Sequence, residues 1–178
     1  GLKGGLGSAS TVLPCGVTVS AMAAVNPTGS VTVGRTKHFW AAPFEIGDEF
    51  GGHGLPHPLP ADASEVIVKF REMAQELANT TIAVIATDAV LSKAEAKRLA
   101  IAAHDGFARA IWPVHTPVDG DLVFSLATGR SGRRLDPHFA IDLYAAAGAT
   151  MARAIARAVY AAVPAAGDPF PTWAERWV

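Results

Sequence analysis

The sequence predicts an α+β domain in which long helices pack against a sheet of short strands. Two alanine-rich segments, residues 92–111 and 136–163, are typical of long helices. Each follows a short apolar run, residues 80–87 and 122–128, of the kind that forms a buried strand. Charged residues make up only 17% of the 178-residue chain, below the usual quarter or so. We therefore expect one domain with helices layered on a sheet and much of its surface buried.

The N-terminal third is predicted to hold one strand between loops. Glycines are concentrated in residues 1–10, which predicts a tight loop with exposed backbone. Residues 17–25 alternate and are rich in β-branched and small side chains, which predicts a strand. A turn at residues 26–29 follows, after which residues 30–33 are a candidate hairpin partner. Residues 34–63 lose all periodicity and are predicted to form a long loop.

A short amphipathic helix is predicted just before the strand at residues 80–87. Four apolar side chains recur at helical spacing within residues 64–77, with Ser64 as a candidate N-cap; they are Val66, Phe70, Met73 and Leu77.

Capping residues mark the two long helices. Ser92 and Glu95 form a capping box at the start of the first, and Pro113 stops it just after residue 111. Asp136 followed by Pro137 opens the second. Near the C-terminus, Trp173 and Trp177 are predicted to anchor the tail to the core or to another subunit.

Charge and cysteine content exclude several classes of protein. With 15 basic and 16 acidic residues the net charge is −1, so no positive charge attracts the chain to nucleic acid or an anionic membrane. Cys15 is the single cysteine, so we expect no disulfide and a cytoplasmic location. No apolar stretch reaches the ~18 residues needed to span a bilayer. Because the chain starts at Gly1 rather than Met, we expect residues to be missing upstream.

Cofactor sites are not indicated either. The early glycines are not followed by the Lys-Ser/Thr ending of a phosphate loop. His38, His53 and His57 share a loop but lack the spacing of metal ligands. We therefore expect neither a metal nor an organic cofactor.

The junction between Asn79 and Thr80 is the most informative position. An amphipathic segment ends there, and a buried strand begins directly with a hydroxyl residue. Such a hydroxyl can attack its own preceding carbonyl and leave an ester that water hydrolyses. The new N-terminal amine, with a pKa of about 7.7 to 8.0, can then act as the base for the hydroxyl beside it. Composition alone leaves open that Thr80 is an ordinary strand residue.

A set of short motifs in the right order resembles one family. These motifs cover residues 3–10, 24–26, 79–81, 86–89, 118–121 and 127–129. The sequence resembles the DmpA-type aminopeptidase and nylon-oligomer (6-aminohexanoate-oligomer) hydrolase family. The resemblance implies an N-terminal-nucleophile-hydrolase-like α+β fold, a four-layer α-β-β-α sandwich. It also implies a precursor that cuts itself, with residues 1–79 ending the α chain and residues 80–178 forming the β chain.

The resemblance also assigns roles to five residues. It makes Thr80 the nucleophile and implies that Asp119 and Asp121 divide acid, base and orienting roles. One acid would keep a proton and hydrogen-bond the Thr80 hydroxyl, while the other would bind the ammonium. Asn26 is implied as a donor to the oxyanion, and Lys3 as a cation that lowers the pKa of the Thr80 amine. Without the resemblance, these residues are equally compatible with a solvated acidic turn, a turn asparagine and a surface lysine.

The function expected from this resemblance is hydrolysis of a small amide or peptide through an acyl-Thr80 ester. A threonine nucleophile favours the nylon-hydrolase branch, and we expect processed α/β units to form a homo-oligomer. Three alternatives remain open: an aminopeptidase for short peptides or β-peptides, an acyltransferase similar to ornithine acetyltransferase, and a non-enzymatic assembly module.

Overall fold

A four-stranded mixed sheet forms the centre of the computed structural model, which describes residues 1–69 and 79–178. The strands are β1 (Gly5–Val12), β2 (Thr18–Val25), β3 (Ile82–Thr87) and β4 (Leu122–Ala127), and they lie side by side in that order. The pairs β1–β2 and β2–β3 are antiparallel, whereas β3 and β4 are parallel. The three strands predicted from periodicity are therefore confirmed.

Two long helices and one short helix accompany the sheet. They are α1 (Lys93–Ala110), α2 (Pro137–Tyr160) and α3 (Trp173–Trp177). The capping box of Ser92 with Glu95 and the N-cap at Asp136 are both confirmed by hydrogen bonds. The sequence did not predict α3, but its expected anchor is confirmed, because Trp173 is buried and donates to the carbonyl of Lys37.

The predicted loop at residues 1–10 is wrong, because most of this segment belongs to β1. A Cβ at Gly7 would lie 2.1 Å from the carbonyl oxygen of Ala154, and one at Gly5 would lie 2.6 Å from that of Ala158. The glycines therefore allow α2 to pack directly against the strand backbone. This close approach, rather than turn formation, explains the glycine content.

Among the described residues, helices cover one face of the sheet only. The covered face is mostly apolar and is buried along β2 and β3, where Val19 and Ile85 belong to the same core cluster as Leu143, Met151 and Ile155 of α2. The opposite face, here called the open face, carries six exposed apolar side chains, Leu6, Met22, Ile82, Val84, Phe124 and Leu126, beside the serines of β1 and β2. Leu6 retains 67% and Phe124 61% of its accessible surface. The prediction of buried strands at 80–87 and 122–128 is therefore correct for one face only.

The hairpin predicted at residues 30–33 is also wrong. Ser30 forms a bridge with Trp112, and Thr32 forms one with Phe39, so this segment pairs with the end of α1 and with its own downstream loop. The long loop at residues 34–63 is confirmed apart from one 3-10 turn, Ala42–Phe44, and it contributes Phe39 and Phe50 to the core.

The predicted helix at residues 64–77 lies mostly outside the described residues. Its described part, residues 64–69, contains turns, a bend and no regular secondary structure, so no helix begins at Ser64. Within the described ranges, no helix has the length and apolar character needed to cross a membrane.

Candidate active site

Thr80 lies just before β3, and its hydroxyl contacts the peptide bond that precedes it. The hydroxyl donates to the carbonyl oxygen of Asn79 at 2.6 Å. The backbone N–H of Gly120 donates to the same oxygen at 3.0 Å. On the other side, the N–H of Thr80 donates to the carbonyl of Asn26 at 3.0 Å, at the end of β2. The peptide group between Asn79 and Thr80 is thus fixed at both its oxygen and its nitrogen.

Glycine at position 120 provides the space for this arrangement. The segment before β4 runs parallel to residues 79–81, with a bridge between Asn79 and Asp119 and a bond from Leu122 to Thr81. A Cβ at Gly120 would lie 2.6 Å from the Thr80 Oγ1 atom. Any larger residue would therefore displace the hydroxyl from its place beside the Asn79 carbonyl.

Asp119 is held by the backbone and hydroxyl groups of two loops. Its carboxylate accepts hydrogen bonds from the N–H of Thr28 at 3.1 Å, and from the N–H and hydroxyl of Thr116 at 2.9 and 2.7 Å. Burial acts to raise the pKa of Asp119, but the hydrogen bonds outweigh it and lower the pKa below its usual range. Asp119 is therefore the more acidic member of the pair.

Asp121 occupies a more enclosed position. Its side chain is only 2% exposed and accepts from the N–H of Thr81 at 2.8 Å and from Nδ1 of His115 at 3.0 Å. Burial, helped by the charge of Asp119, raises the pKa of Asp121 despite these hydrogen bonds. The two acids therefore shift in opposite directions.

The resemblance implied that one acid contacts the Thr80 hydroxyl, and the uncut chain has a different geometry. The hydroxyl donates to the Asn79 carbonyl instead. Asp121 lies one residue further along, on the N–H of Thr81. The acids thus border the junction without touching its hydroxyl.

Two residues that the sequence did not single out complete the acidic side. His115 links Asp121 to His104 on α1, whose Nδ1 lies 3.1 Å from Nε2 of His115. Phe107 stacks on the His115 ring with centroids 5.4 Å apart. The sequence offered one weak signal, a histidine in a loop six positions before an acid.

A buried lysine that the sequence also missed lies on the opposite side. Lys69 is only 5% exposed, and its Nζ donates to Oδ1 of Asn26 at 3.3 Å. Burial lowers the pKa of Lys69 to about 8. Because the ammonium contacts Oδ1, the amide nitrogen of Asn26 points away from Lys69. The available signal was a lysine inside the apolar run Val66 to Phe70.

A cavity of about 230 Å³ adjoins the junction on this side, lined by Lys3, Gly4, Asn26, Lys69, Asn79, Pro169 and Phe170. Three of the residues expected at the site, Lys3, Asn26 and Asn79, therefore share one cavity. The Lys3 ammonium is bound to the carboxylate of Asp168 at 2.8 Å and to the carbonyl of Val163 at 2.7 Å. Lys3 thus borders the cavity while its charge is neutralised by Asp168.

No grouping of three or more His, Cys, Asp or Glu side chains suited to a metal ion lies within residues 1–69 and 79–178. The described residues place the Thr80 hydroxyl on the Asn79 carbonyl, with titratable side chains on either side. Such an arrangement suits attack of a hydroxyl on a carbonyl group.

Comparison with solved structures identifies the fold. The chain is similar to the L-aminopeptidase D-Ala-esterase/amidase from Ochrobactrum anthropi, described as a variant of the N-terminal-nucleophile hydrolase fold. The TM-score is 0.62 at 22% identity, covering 96% of this chain and 44% of that one. A Burkholderia β-aminopeptidase gives a TM-score of 0.59 at 26% identity, covering 89% of this chain and 42% of that one. The fold class expected from the sequence is confirmed, and the described residues supply one sheet with its helical layer.

The family follows from the sequence comparison. The profile of Peptidase family S58 matches residues 1–169, and the chain belongs to this family. It is also 43% identical over 186 residues to an uncharacterized aminopeptidase of Mycobacterium tuberculosis, covering 94% of this chain and 51% of the relative. The chain thus spans about half the length of the curated relatives it matches. The resemblance to the DmpA-type family is confirmed.

Proposed function

We propose that this chain is part of a self-processing aminopeptidase or amidase in which Thr80 is the nucleophile. The observation that carries the proposal is the contact of the Thr80 hydroxyl with the Asn79 carbonyl, whose oxygen also accepts the N–H of Gly120. An N–H donor on a carbonyl oxygen stabilises the negative charge that develops there during attack. Membership of Peptidase family S58 supports a peptide-bond chemistry for the same groups.

Maturation begins when Oγ1 of Thr80 forms a bond to the carbonyl carbon of Asn79. The negative charge develops on the oxygen that Gly120 contacts. The bond from that carbon to the nitrogen of Thr80 then breaks, and the hydroxyl proton ends on this nitrogen. Water hydrolyses the resulting ester, which leaves a carboxylate on Asn79 and a free amine on Thr80.

The same residue then acts on substrate. The freed amine of Thr80 starts beside the carbonyl of Asn26, where it donates before the cut, and in its neutral form it takes the hydroxyl proton. The hydroxyl attacks the carbonyl carbon of the substrate amide, and the carbon–nitrogen bond breaks as the amine leaves with the proton that the Thr80 amine had taken. The acyl group is left as an ester of Thr80, and water hydrolyses it to the free acid. Asn26, whose amide nitrogen points away from Lys69, is our candidate donor to the substrate oxyanion.

For the substrate, we propose small amides or short peptides that carry a free amino terminus. The relatives support this class, since they include an L-aminopeptidase D-Ala-esterase/amidase, a β-aminopeptidase and an uncharacterized aminopeptidase. A preference for 6-aminohexanoate oligomers rests on the threonine nucleophile alone and has no support from these three relatives. Such oligomers therefore enter the test as one substrate among several.

Intact mass of the purified protein tests maturation. We expect two chains that end at Asn79 and begin at Thr80, together heavier than the uncut chain by one water molecule. Thr80→Ala should remain one chain, because it lacks the attacking oxygen. Thr81→Val is the matched control, since it keeps the backbone N–H that Asp121 binds, and it should still be cut. An uncut wild-type protein, or a cut Thr80→Ala variant, contradicts the proposal.

Substrate preference is tested with paired amides that differ only in a free or acetylated amine. We expect the mature protein to hydrolyse the free-amine peptides and β-peptides and to leave the blocked ones intact. Equal rates on both members of each pair would exclude an aminopeptidase and favour a general amidase. Faster hydrolysis of aminohexanoate oligomers than of any peptide would instead support the nylon-oligomer preference.

Partners and location are proposals as well. The open face is too apolar to be a solvated surface, and we propose that a further segment of the precursor covers it. Oligomerisation of processed units and a cytoplasmic location are further proposals, which sedimentation of the mature protein and cell fractionation would test.

A further inference from the structure

A row of hydrogen bonds connects the surface of α1 to the backbone beside the proposed nucleophile. Nδ1 of His104 lies 3.1 Å from Nε2 of His115, and Nδ1 of His115 lies 3.0 Å from Oδ2 of Asp121. The other oxygen of Asp121 accepts the N–H of Thr81 at 2.8 Å. The mechanism proposed above does not use the two histidines.

With Asp121 ionised and both imidazoles neutral, the contacts assign one position to each proton. An ionised Asp121 only accepts, so Nδ1 of His115 carries its proton and Nε2 is the acceptor. Nδ1 of His104 must then donate to that Nε2. If Asp121 takes the proton on Nδ1 of His115, then Nε2 of His115 takes the proton on Nδ1 of His104. His104 in turn takes a proton from solvent at its Nε2. The row therefore passes a proton without moving a heavy atom.

The position of His115 is held by several contacts, although its backbone conformation is unfavourable. Its φ angle is 53°, in the left-handed region that few residues other than glycine adopt and where asparagine, aspartate and histidine are the best tolerated. Phe107 stacks on one face of the ring, and His104 contacts its edge with centroids 4.8 Å apart. Unfavourable backbone that is held by its surroundings is characteristic of functional positions.

Asp121 itself has little access to solvent, because its side chain is 2% exposed whereas that of His115 is 37% exposed. The charged or titratable groups around Asp121 are His115 and Asp119, and Asp105 and His104 follow on α1. Protons therefore reach the carboxylate most directly through the imidazole of His115.

We propose that His115, supported by His104, is a positioning residue that orients Asp121 and transfers protons between this buried carboxylate and solvent. The inference rests on the proposed function for its link to catalysis. The row itself is independent of that function and can be measured without it.

The first measurement follows the ¹³Cγ resonance of Asp121 during a pH titration of the uncut Thr80→Ala chain. The hydrogen bond from His115 lowers the pKa of Asp121. His115→Phe, which keeps the stacking on Phe107, should therefore move the Asp121 midpoint to higher pH. His115→Asn, which tolerates the left-handed backbone, should do the same if the Phe variant does not fold. His138→Phe, an exposed histidine on α2, is the control and should leave the midpoint unchanged.

The second measurement is the pH profile of maturation. In the wild type, the rate of cleavage should change over the same pH range in which Asp121 titrates. In His115→Phe, this step should move to higher pH together with the Asp121 midpoint, and the rate at neutral pH should fall on the order of 100-fold, the usual effect of lost proton transfer.

The outcomes separate the two proposals. If the Asp121 midpoint does not respond to either His115 variant, the relay is overturned even when the wild type matures. If the wild type does not mature, the proposed function fails, and the titration still decides the relay. A midpoint that moves while the maturation profile stays fixed overturns the role of His115 in proton transfer.

Discussion

Two lysines lie on the cavity side of the Asn79–Thr80 bond, and two aspartates lie on its acidic side. Each pair contains one residue held by polar contacts and one that is deeply buried. On the cavity side, the charge of Lys3 is neutralised by Asp168. Lys69 on the same side is buried, and it has no carboxylate partner in the part of the chain that the structure describes. One cation is therefore stabilised by an ion pair, and the other is destabilised by burial.

The acidic side, which contains Asp119 and Asp121, shows the same division. Asp119 is stabilised by hydrogen bonds from Thr28 and Thr116, whereas Asp121 is the more deeply buried acid and has a raised pKa. Burial raises the pKa of Asp121 and lowers that of Lys69, and each shift favours the neutral form of the side chain. Groups whose pKa values move towards neutral pH are the ones able to exchange protons there. The comparison teaches that each side supplies one fixed charge and one group suited to proton transfer.

The largest effect, on the rate of maturation, is expected from Gly120→Ala on the acidic side. The new Cβ would displace the Thr80 hydroxyl, which lies 2.6 Å from that position. We expect maturation to slow on the order of 100-fold, as when a group that aligns the reacting oxygen is disturbed. The cut fraction on denaturing gels over time measures this. Gly148→Ala on α2, whose Cβ would have ordinary contacts no closer than 3.5 Å, is the control, and equal rates for both variants would contradict the proposal.

An intermediate effect is expected from Lys69→Met on the cavity side. In the folded state burial lowers the pKa of Lys69 from 10.5 to about 8. Below pH 8, Lys69 is charged in both the folded and the unfolded protein, so folding includes the full free-energy cost of burying its charge. This cost declines as pH rises through 8 and is absent above 10.5. Lys69→Met should therefore raise the free energy of unfolding at pH 7 by about 3 kcal/mol.

Denaturant unfolding at pH 7 and at pH 10 measures this dependence. The gain from Lys69→Met should shrink between the two pH values. Lys93→Met, at an exposed position, should show no such change. A Lys69→Met variant that is less stable than the wild type at pH 7 would show that Lys69 is well paired, and the division between the two lysines would be wrong.

The smallest effect is expected from the paired cation on the cavity side. The side chains of Lys3 and Asp168 are 26% and 24% exposed, so their ion pair is partly screened by solvent. Lys3→Met should lower the free energy of unfolding by no more than about 1 kcal/mol, and the loss should decrease with added salt. A double-mutant cycle with Asp168→Asn measures the coupling. A much larger, salt-independent loss in the free energy of unfolding would show that Lys3 is not part of a solvent-screened ion pair. The contrast between Lys3 and Lys69 would then be wrong.

Local signals in the sequence were sufficient for the two long helices and for three strands. The caps at Ser92 and Asp136 act within a few residues, and periodicity in β2, β3 and β4 reflects their own burial pattern. β1 was missed because its glycines satisfy a distant requirement, the close approach of α2. Burial of the open face was wrongly expected, because apolar composition does not tell which layer covers a strand.

The site was predictable only in part, for a similar reason. Motif order brought attention to Thr80, Asp119 and Asp121, which the structure places along one pair of neighbouring segments. Lys69 and His115 were missed because their importance depends on burial and on contacts with distant parts of the chain. A lysine within an apolar run and a histidine near an acid are weak signals, and each is usually an ordinary residue.

The sheet also determines what would become of the two products. β1 and β2 precede the Asn79–Thr80 bond and β3 and β4 follow it, yet β2 pairs with β3 along its length and α2 covers the first two strands. Products joined by a shared hydrogen-bonded ladder would migrate together on a native column and separate only in denaturant. Each half lacks the partner strand on which its inner edge depends, so neither would be expected to refold alone after separation.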